Sequence, residues 1–231
     1  MTTKRFEKAY FEGGKGTVYK DYANDPWVRT NYEIIYTLIK RFNKHGTLLE
    51  IGFGYGFFLA MAEREFSTYG IEISRYGCRK AKKLLKKTRL YNGEATRLMD
   101  TLPLFDVILG HNVFPNMDHP EKCIRKCYAH LKDEGIFVMR VPNMSSIRSR
   151  LSKNRFYAFK DHTNTALYTK AQWKKLLEDI GFTCSIYTYV PSSFLKRTLK
   201  RTPFVIMPSI FHHLNLTQTI VFVCKKRLKN T

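Results

Sequence analysis

The stretch Leu48-Leu49-Glu50-Ile51-Gly52-Phe53-Gly54-Tyr55-Gly56 decides the fold. It reads as the end of a buried strand, a glycine turn and the first turn of a helix. A second strand-like run, Thr68-Tyr69-Gly70-Ile71-Glu72-Ile73, follows and also carries a carboxylate near its end. A parallel α/β sheet uses this pairing to cradle a nucleoside. The glycines let the backbone approach the ligand, and the second carboxylate accepts hydrogen bonds from ribose hydroxyls.

The glycine spacing narrows the ligand. Dinucleotide sites use G-x-G-x-x-G and place a pyrophosphate on the helix N-terminus. This chain has G-x-G-x-G, with Glu50 inside the end of the first strand. A carboxylate beside a pyrophosphate is repulsive, whereas beside a sulfonium with an α-ammonium it is acceptable. The bland alternative is a glycine turn that holds nothing.

The segment from Leu49 to Gly56 resembles motif I of the class I S-adenosylmethionine (SAM) methyltransferases, V-L-D/E-I-G-C-G-x-G. The likeness continues in order along the chain. Glu72 falls where that family places its ribose-binding acid, followed by Ile73. Asn92-Gly93-Glu94-Ala95 looks like the G-D-A segment that contacts adenine. Phe105-Asp106-Val107-Ile108-Leu109-Gly110 looks like strand four. The run from His130 to Asn143 looks like the L-K-P-G-G turn and a fifth strand ending in P-N. Ala171 to Phe182 looks like the next helix and its A-G-F end. The resemblance implies SAM as cofactor and S-adenosylhomocysteine as product. It implies cofactor contacts from Glu50, Gly52, Phe53, Gly54, Tyr55, Gly56, Glu72, Ile73, Glu94, Ala95 and His111, with Tyr22 from a lid. It also implies a Rossmann-like seven-stranded sheet, ordered 3-2-1-4-5-7-6, with the last strand antiparallel.

Composition is consistent with one globular domain. The 231 residues suffice for a buried core, and 44% are hydrophobic. No apolar stretch is long enough for a membrane span, and Met1-Thr2-Thr3-Lys4-Arg5-Phe6 lacks a signal core, so a cytoplasmic setting is expected. Five scattered cysteines, with no C-x-x-C pair, predict buried free thiols and neither zinc nor a disulfide framework. The net charge of +21 suits nucleic acid, anionic lipid or an acidic small substrate, or else a solvated basic surface.

Residues 1–45 read as an aromatic lid, with Tyr10-Phe11-Glu12-Gly13-Gly14 and Tyr19-Lys20-Asp21-Tyr22, then an amphipathic helix over 27–43. Residues 46–143 read as the cofactor-binding core. Strands are predicted near 47–51, 68–73, 89–93, 105–110, 135–141, 183–190 and 218–225, and helices near 56–65, 75–86, 120–131 and 170–180. The basic residues of 75–89 read as a solvated face. Two basic and aromatic insertions, 144–169 and 191–215, fall on the substrate side. The second couples Lys196-Arg197 and Lys200-Arg201 to the apolar 204–211 run. That pattern suits either an interfacial helix on an anionic membrane or a core cap, and Pro203 and Pro208 limit any helix there.

Methyl transfer from a sulfonium needs alignment more than covalent help. A general base is required only when the acceptor must lose a proton. His111, just after strand four, is one candidate, though it equally suits a pocket lining. His162 is the other, in Asp161-His162…Leu167-Tyr168-Thr169, which looks like the histidine before the family's F-T-x-x-x-L, with a longer spacing. Relatives often carry E-H-x-x-D-P after strand four. Here Pro115-Asn116-Met117-Asp118-His119-Pro120 lacks the Glu-His pair, so no role of that pair carries over.

The leading expectation is a methyltransferase for a small-molecule, sugar or lipid-linked acceptor. RNA methylation is a second reading, favoured by charge but lacking N/D-P-P-Y/F and a cytosine-C5 cysteine context. A SAM-binding module without turnover is a third.

Overall fold

The computed structural model describes residues 3–152, 155–191, 204–207 and 215–227. Its sheet runs β3-β2-β1-β4-β5-β8-β6-β7. The strands are β1 (Gly46–Ile51), β2 (Phe66–Glu72), β3 (Arg89–Asn92), β4 (Phe105–His111), β5 (Leu131–Pro142), β6 (Phe182–Pro191), β7 (Phe204–Met207) and β8 (Thr219–Lys226). The first five pair in parallel, and β8 inserts antiparallel between β5 and β6. Without the short edge strand β7 this is the expected 3-2-1-4-5-7-6 order.

Side-chain alternation along β1 builds two cores. Leu48 faces α2 (Pro26–Ile39) and α3 (Phe57–Ala62), where Tyr32, Ile35, Leu38, Phe58 and Leu59 are buried. Leu49 and Ile51 face the opposite layer, with Cys123, Ile124 and Cys127 of α6 (Pro120–His130) and Trp173 and Leu177 of α9 (Lys170–Ile180). A strand covered on both faces reads as a continuous apolar run, which is why 48–51 has no polar alternate except Glu50.

Local signals set the helix limits. Asp25 caps α2 by accepting from the Trp27 amide at 2.8 Å, and Pro26 supplies a preset φ at the first turn. The helix stops at Ile39, before the predicted 43. In α9, Thr169 and Gln172 form a reciprocal capping box, and Gly181 ends the helix at φ +117°. In α4 (Arg75–Leu84), Ser74 caps the first turn, Cys78 and Ala81 are buried, and Arg75, Arg79, Lys80, Lys82 and Lys83 face solvent. That basic face is a solvated one.

Two expectations are corrected. Cys184 and Cys224 form a disulfide, not free thiols. They are directly opposed in the β6–β8 ladder, 40 residues apart in sequence, so spacing along the chain could not pair them. The apolar part of 191–215 is not helical at Phe204–Met207, which pairs antiparallel with Thr188–Pro191 as β7. Pro203 and Pro208 bracket a run with two β-branched residues, a composition that favours a short strand. The Lys196, Arg197, Lys200 and Arg201 cluster lies outside the described residues. Among the described residues no helix is long and apolar enough to cross a membrane.

Thiol titration of the denatured, unreduced protein is expected to count three free cysteines, Cys78, Cys123 and Cys127. Reduction should raise the count to all five. Five before reduction would remove the β6–β8 bridge.

Candidate functional site

The strand order reverses at β1, whose neighbours β2 and β4 diverge beyond their carboxyl ends. In open α/β sheets the ligand crevice lies there. A cavity of about 980 Å³ occupies this position. Gly52 and Gly54 form part of its floor, with φ of +74° and +57°. A Cβ at Gly52 would meet Val113 Cγ2 at 2.6 Å, and one at Gly54 would meet the Tyr22 hydroxyl at 2.9 Å. The loop therefore tolerates only bare backbone.

Glu72 holds that loop in place. One carboxylate oxygen accepts from the Gly54 amide and the other from the Ser74 amide, both at 2.8 Å. Burial raises its pKa, and these amide bonds oppose the rise. The next strand end is tied to it as well. Asn92 Nδ2 donates to the Glu72 carbonyl at 2.8 Å, and the Gly93 amide donates to the same oxygen at 3.0 Å. Gly93, Glu94 and Ala95 then line the cavity beside Ile73. The Glu94 carboxylate faces outward, near Arg97 at 3.8 Å.

Glu50 behaves differently. Its residue is fully buried, and neither carboxylate oxygen has a hydrogen-bond partner among the described residues. Burial, then the nearby Glu72 charge, pushes its carboxyl well above the usual range. Strand alternation puts Glu50 on the Leu48 face, near Tyr32, and it is not among the residues lining the cavity. Phe53, Tyr55 and Gly56 also fall outside the cavity lining. A Cβ at Gly70 would meet the Phe53 ring at 2.6 Å, so that ring sits over β2. Gly56 approaches Ala81 and Leu85 of the α4 end. Tyr55 stacks on Phe11 at 4.8 Å, and its hydroxyl has no partner among the described residues.

The aromatic N-terminus closes the site. Phe6, Tyr10, Phe11, Tyr19 and Tyr22 all line the cavity. Tyr22 bonds the Tyr32 hydroxyl at 2.8 Å and packs edge-on to Tyr19 and Tyr55. Burial, with Asp161 next, raises the Tyr19 phenol to about 12, so it stays protonated.

His111 ends β4 within the cavity, its ring 4.6 Å from that of Tyr32. Burial, and secondarily Arg140, lowers its pKa well below the usual range, so the imidazole is neutral. Its Nε2 has no partner among the described residues. His162 is not brought to this cavity. It is exposed, and its amide donates to the Gly16 carbonyl at 2.9 Å. A two-residue-longer approach from the 144–169 insertion carries the ring over Gly16, whose would-be Cβ lies 3.1 Å from Nδ1.

Sequence reasoning passed over Arg140, Tyr189 and Asn31, which all line the cavity with Asn112. A legible signal existed for one of them: Arg140 is the lone charge within the buried run Val138-Met139-Arg140-Val141. Asn112 has φ +54°, in the left-handed region where a residue other than glycine is uncommon. Its side-chain oxygen also lacks a partner among the described residues.

A family model described as a methyltransferase domain matches residues 28–185, more than half of the chain. No curated protein matches. Among solved structures, a SAM-dependent methyltransferase from Archaeoglobus fulgidus is similar at 19% identity and TM-score 0.64, covering 85% of this chain and 93% of that one. The plantazolicin methyltransferase BpumL, solved with a desmethylplantazolicin analogue and S-adenosylhomocysteine (SAH), is similar at 18% identity and TM-score 0.63, covering 89% and 87%. A possible histamine N-methyltransferase from Thermotoga maritima is similar at 18% and 0.59, covering 86% and 96%.

The unpartnered Glu50 sets a pH dependence. Its raised folded pKa means that folding favours the protonated carboxyl. That contribution is full below the unfolded value of about 4.3 and is lost as pH rises through the folded value. Glu50→Gln is expected to be more stable than the native chain at pH 8, by on the order of 2 kcal/mol, because it removes an uncompensated buried charge. The gap should close as pH falls toward 4 in urea unfolding of the ligand-free protein. A variant less stable at every pH would show that the carboxylate is compensated.

Proposed function

The chain belongs to the methyltransferase domain family, and from that premise we propose that it transfers a methyl group from SAM to a small-molecule, sugar or lipid-linked acceptor. The observation that carries this reading is the buried Glu50 carboxyl, left without a partner among the described residues and next in sequence to a turn of bare glycine backbone. A cationic ligand would supply the countercharge that favours its ionised form, whereas a pyrophosphate would oppose it. Cavity size supports the acceptor class, since about 980 Å³ beneath an aromatic lid suits a cofactor with a small partner. The RNA reading raised by the charge finds no support in the relatives.

The residues present would divide the cofactor between them. Gly52 and Gly54 would lie against it, Glu50 would balance its ammonium, and Glu72 has lone pairs left for ribose hydroxyls. Glu94 and Ala95 would flank the base. When bound, SAM supplies a methyl already activated on a sulfonium. The chain's own task is then alignment and exclusion of water. Tyr10, Phe11, Tyr19 and Tyr22 close the cavity with aromatic rings. His111 Nε2, neutral and without a partner among the described residues, is placed to accept a proton from an acceptor hydroxyl or ammonium. For an acceptor already deprotonated, it only lines the pocket.

Calorimetry with SAH tests the reading. Native protein should bind it. Gly54→Val should abolish binding, because the cradle has no room for a side chain. Glu72→Ala should weaken it by about 1–3 kcal/mol, through lost charged hydrogen bonds and a loosened loop. Normal SAH binding by both variants would misplace the pocket.

His111 is testable without a known acceptor. Its imidazole should remain neutral by NMR well below pH 6.5 in the folded protein, given the lowered pKa. An ordinary titration near 6.5 would show that the ring is solvated and not held neutral by burial.

A further inference from the structure

One buried cation in the cavity has no role in the reading above. Arg140 lies near the end of β5, paired with His111 of β4, and is only 5% exposed. Its Nε donates to the Tyr189 hydroxyl at 2.7 Å, and that hydroxyl donates to Asn31 Oδ1 at 2.7 Å. Among the described residues this is the guanidinium's one hydrogen bond, and no carboxylate is ion-paired with it. Arginine cannot escape burial by losing its proton. A desolvated cation without a counterion is strongly unfavourable, so the fold retains it at a cost.

The acids that line the cavity are engaged elsewhere. Asp161 accepts from the Thr163 amide and hydroxyl at 3.1 and 2.6 Å. Asp25 caps α2. Glu72 braces the glycine loop. Beside Arg140, the buried Tyr157 hydroxyl also lacks a partner among the described residues. The Tyr189–Asn31 relay from β6 and α2 holds the guanidinium at Nε, and Arg140 lines the cavity with no further hydrogen bond among the described residues.

We propose that Arg140 and Tyr157 form a docking subsite for an anionic group, a carboxylate or a phosphate, on the methyl acceptor. The proposal rests on the methyltransferase reading of the cavity and adds the acceptor's charge to it. The planar guanidinium fork matches two oxygens of either group at once, and the phenol adds a third donor. The acceptor anion supplies the countercharge that the chain withholds. It also fixes one end of the acceptor beside His111.

The test uses the full chain with three small probes, benzoate, phenyl phosphate and neutral benzyl alcohol, titrated by calorimetry and ligand-observed NMR with and without SAH. One or both anions should bind at least about tenfold more tightly than the alcohol, as charged hydrogen bonds require. The anion that binds distinguishes a carboxylate from a phosphate acceptor. Arg140→Gln should erase the preference while SAH affinity stays within about threefold, a shift too small to count as a lost charged contact. Arg140→Lys keeps the charge but not the fork, and should lose most of the benzoate affinity. Equal binding of alcohol and anions, or unchanged anion affinity in Arg140→Gln, overturns the proposal. If Arg140→Gln fails to fold, unchanged benzoate affinity in Arg140→Lys overturns it. Failure of native protein to bind SAH counts against the methyltransferase reading alone, because the anion titrations without SAH still report on Arg140.

Discussion

The Glu72 carboxylate is the constraint on which the cofactor half of the site depends. Its two oxygens hold the amides of Gly54 and Ser74, and its carbonyl holds the Asn92 side chain and the Gly93 amide. One residue at the end of β2 thereby ties together the loop after β1, the N-terminus of α4 and the loop after β3. The three parallel strands could carry those loops at many angles. A charged acceptor with two amide donors selects one arrangement, and charge-assisted bonds in a buried setting are the strong ones. The positive φ angles of Gly52 and Gly54 then have a partner that fixes them, instead of being loose turns.

Unpartnered polar atoms gather around this arrangement. Both Glu50 oxygens, Tyr55 Oη, His111 Nε2, Asn112 Oδ1 and Tyr157 Oη have no partner among the described residues. Native cores rarely leave such atoms bare, and those that remain point to a function. Glu50 and Arg140 give the pattern a polarity. A buried carboxyl on β1 and a buried guanidinium on β5 are each without an ion-pair partner among the described residues. Direct pairing would satisfy both, yet the sheet holds them apart, on β1 and β5 with β4 between. Burying either group without a countercharge gives up stability.

Much of the sheet was legible because its signals are local. The 48–56 run, the 68–73 run and the capped helix over 170–180 each carry their own punctuation, and the strands appear where periodicity and glycine turns put them. The disulfide was not legible, because Cys184 and Cys224 become neighbours only when β8 inserts antiparallel beside β6. The same holds for β7, whose pairing with Thr188–Pro191 of β6 no local signal states. Within the site, Gly52, Gly54, Glu72, Glu94 and Ala95 were readable as one motif series and do line the cavity. Phe53 and Tyr55 were not separable from them by sequence, since alternation in a tight loop depends on φ angles that a residue string does not state. His162 differs for another reason. It lies in the 144–169 insertion, where its amide bonds to Gly16 and its ring stays out of the cavity lining.

This division has a physical origin. The glycine-loop side of the cavity is made from consecutive strand–loop–helix units, so each lining residue lies within a few positions of a glycine or an acid that announces it. The opposite side is assembled from α2, β4, β5, β6 and the 144–169 insertion, with Asn31, His111, Arg140, Tyr157 and Tyr189 contributed one at a time. No pair of these is close in sequence. The Tyr189–Asn31 contact spans 158 positions and exists only because α2 crosses the face of the sheet. Such a wall can be altered one residue at a time without disturbing the glycine loop or its Glu72 brace. A common cofactor cradle can therefore carry acceptor pockets of different charge. The chemistry specific to this chain lies in a residue such as Arg140, whose buried charge no local motif demands.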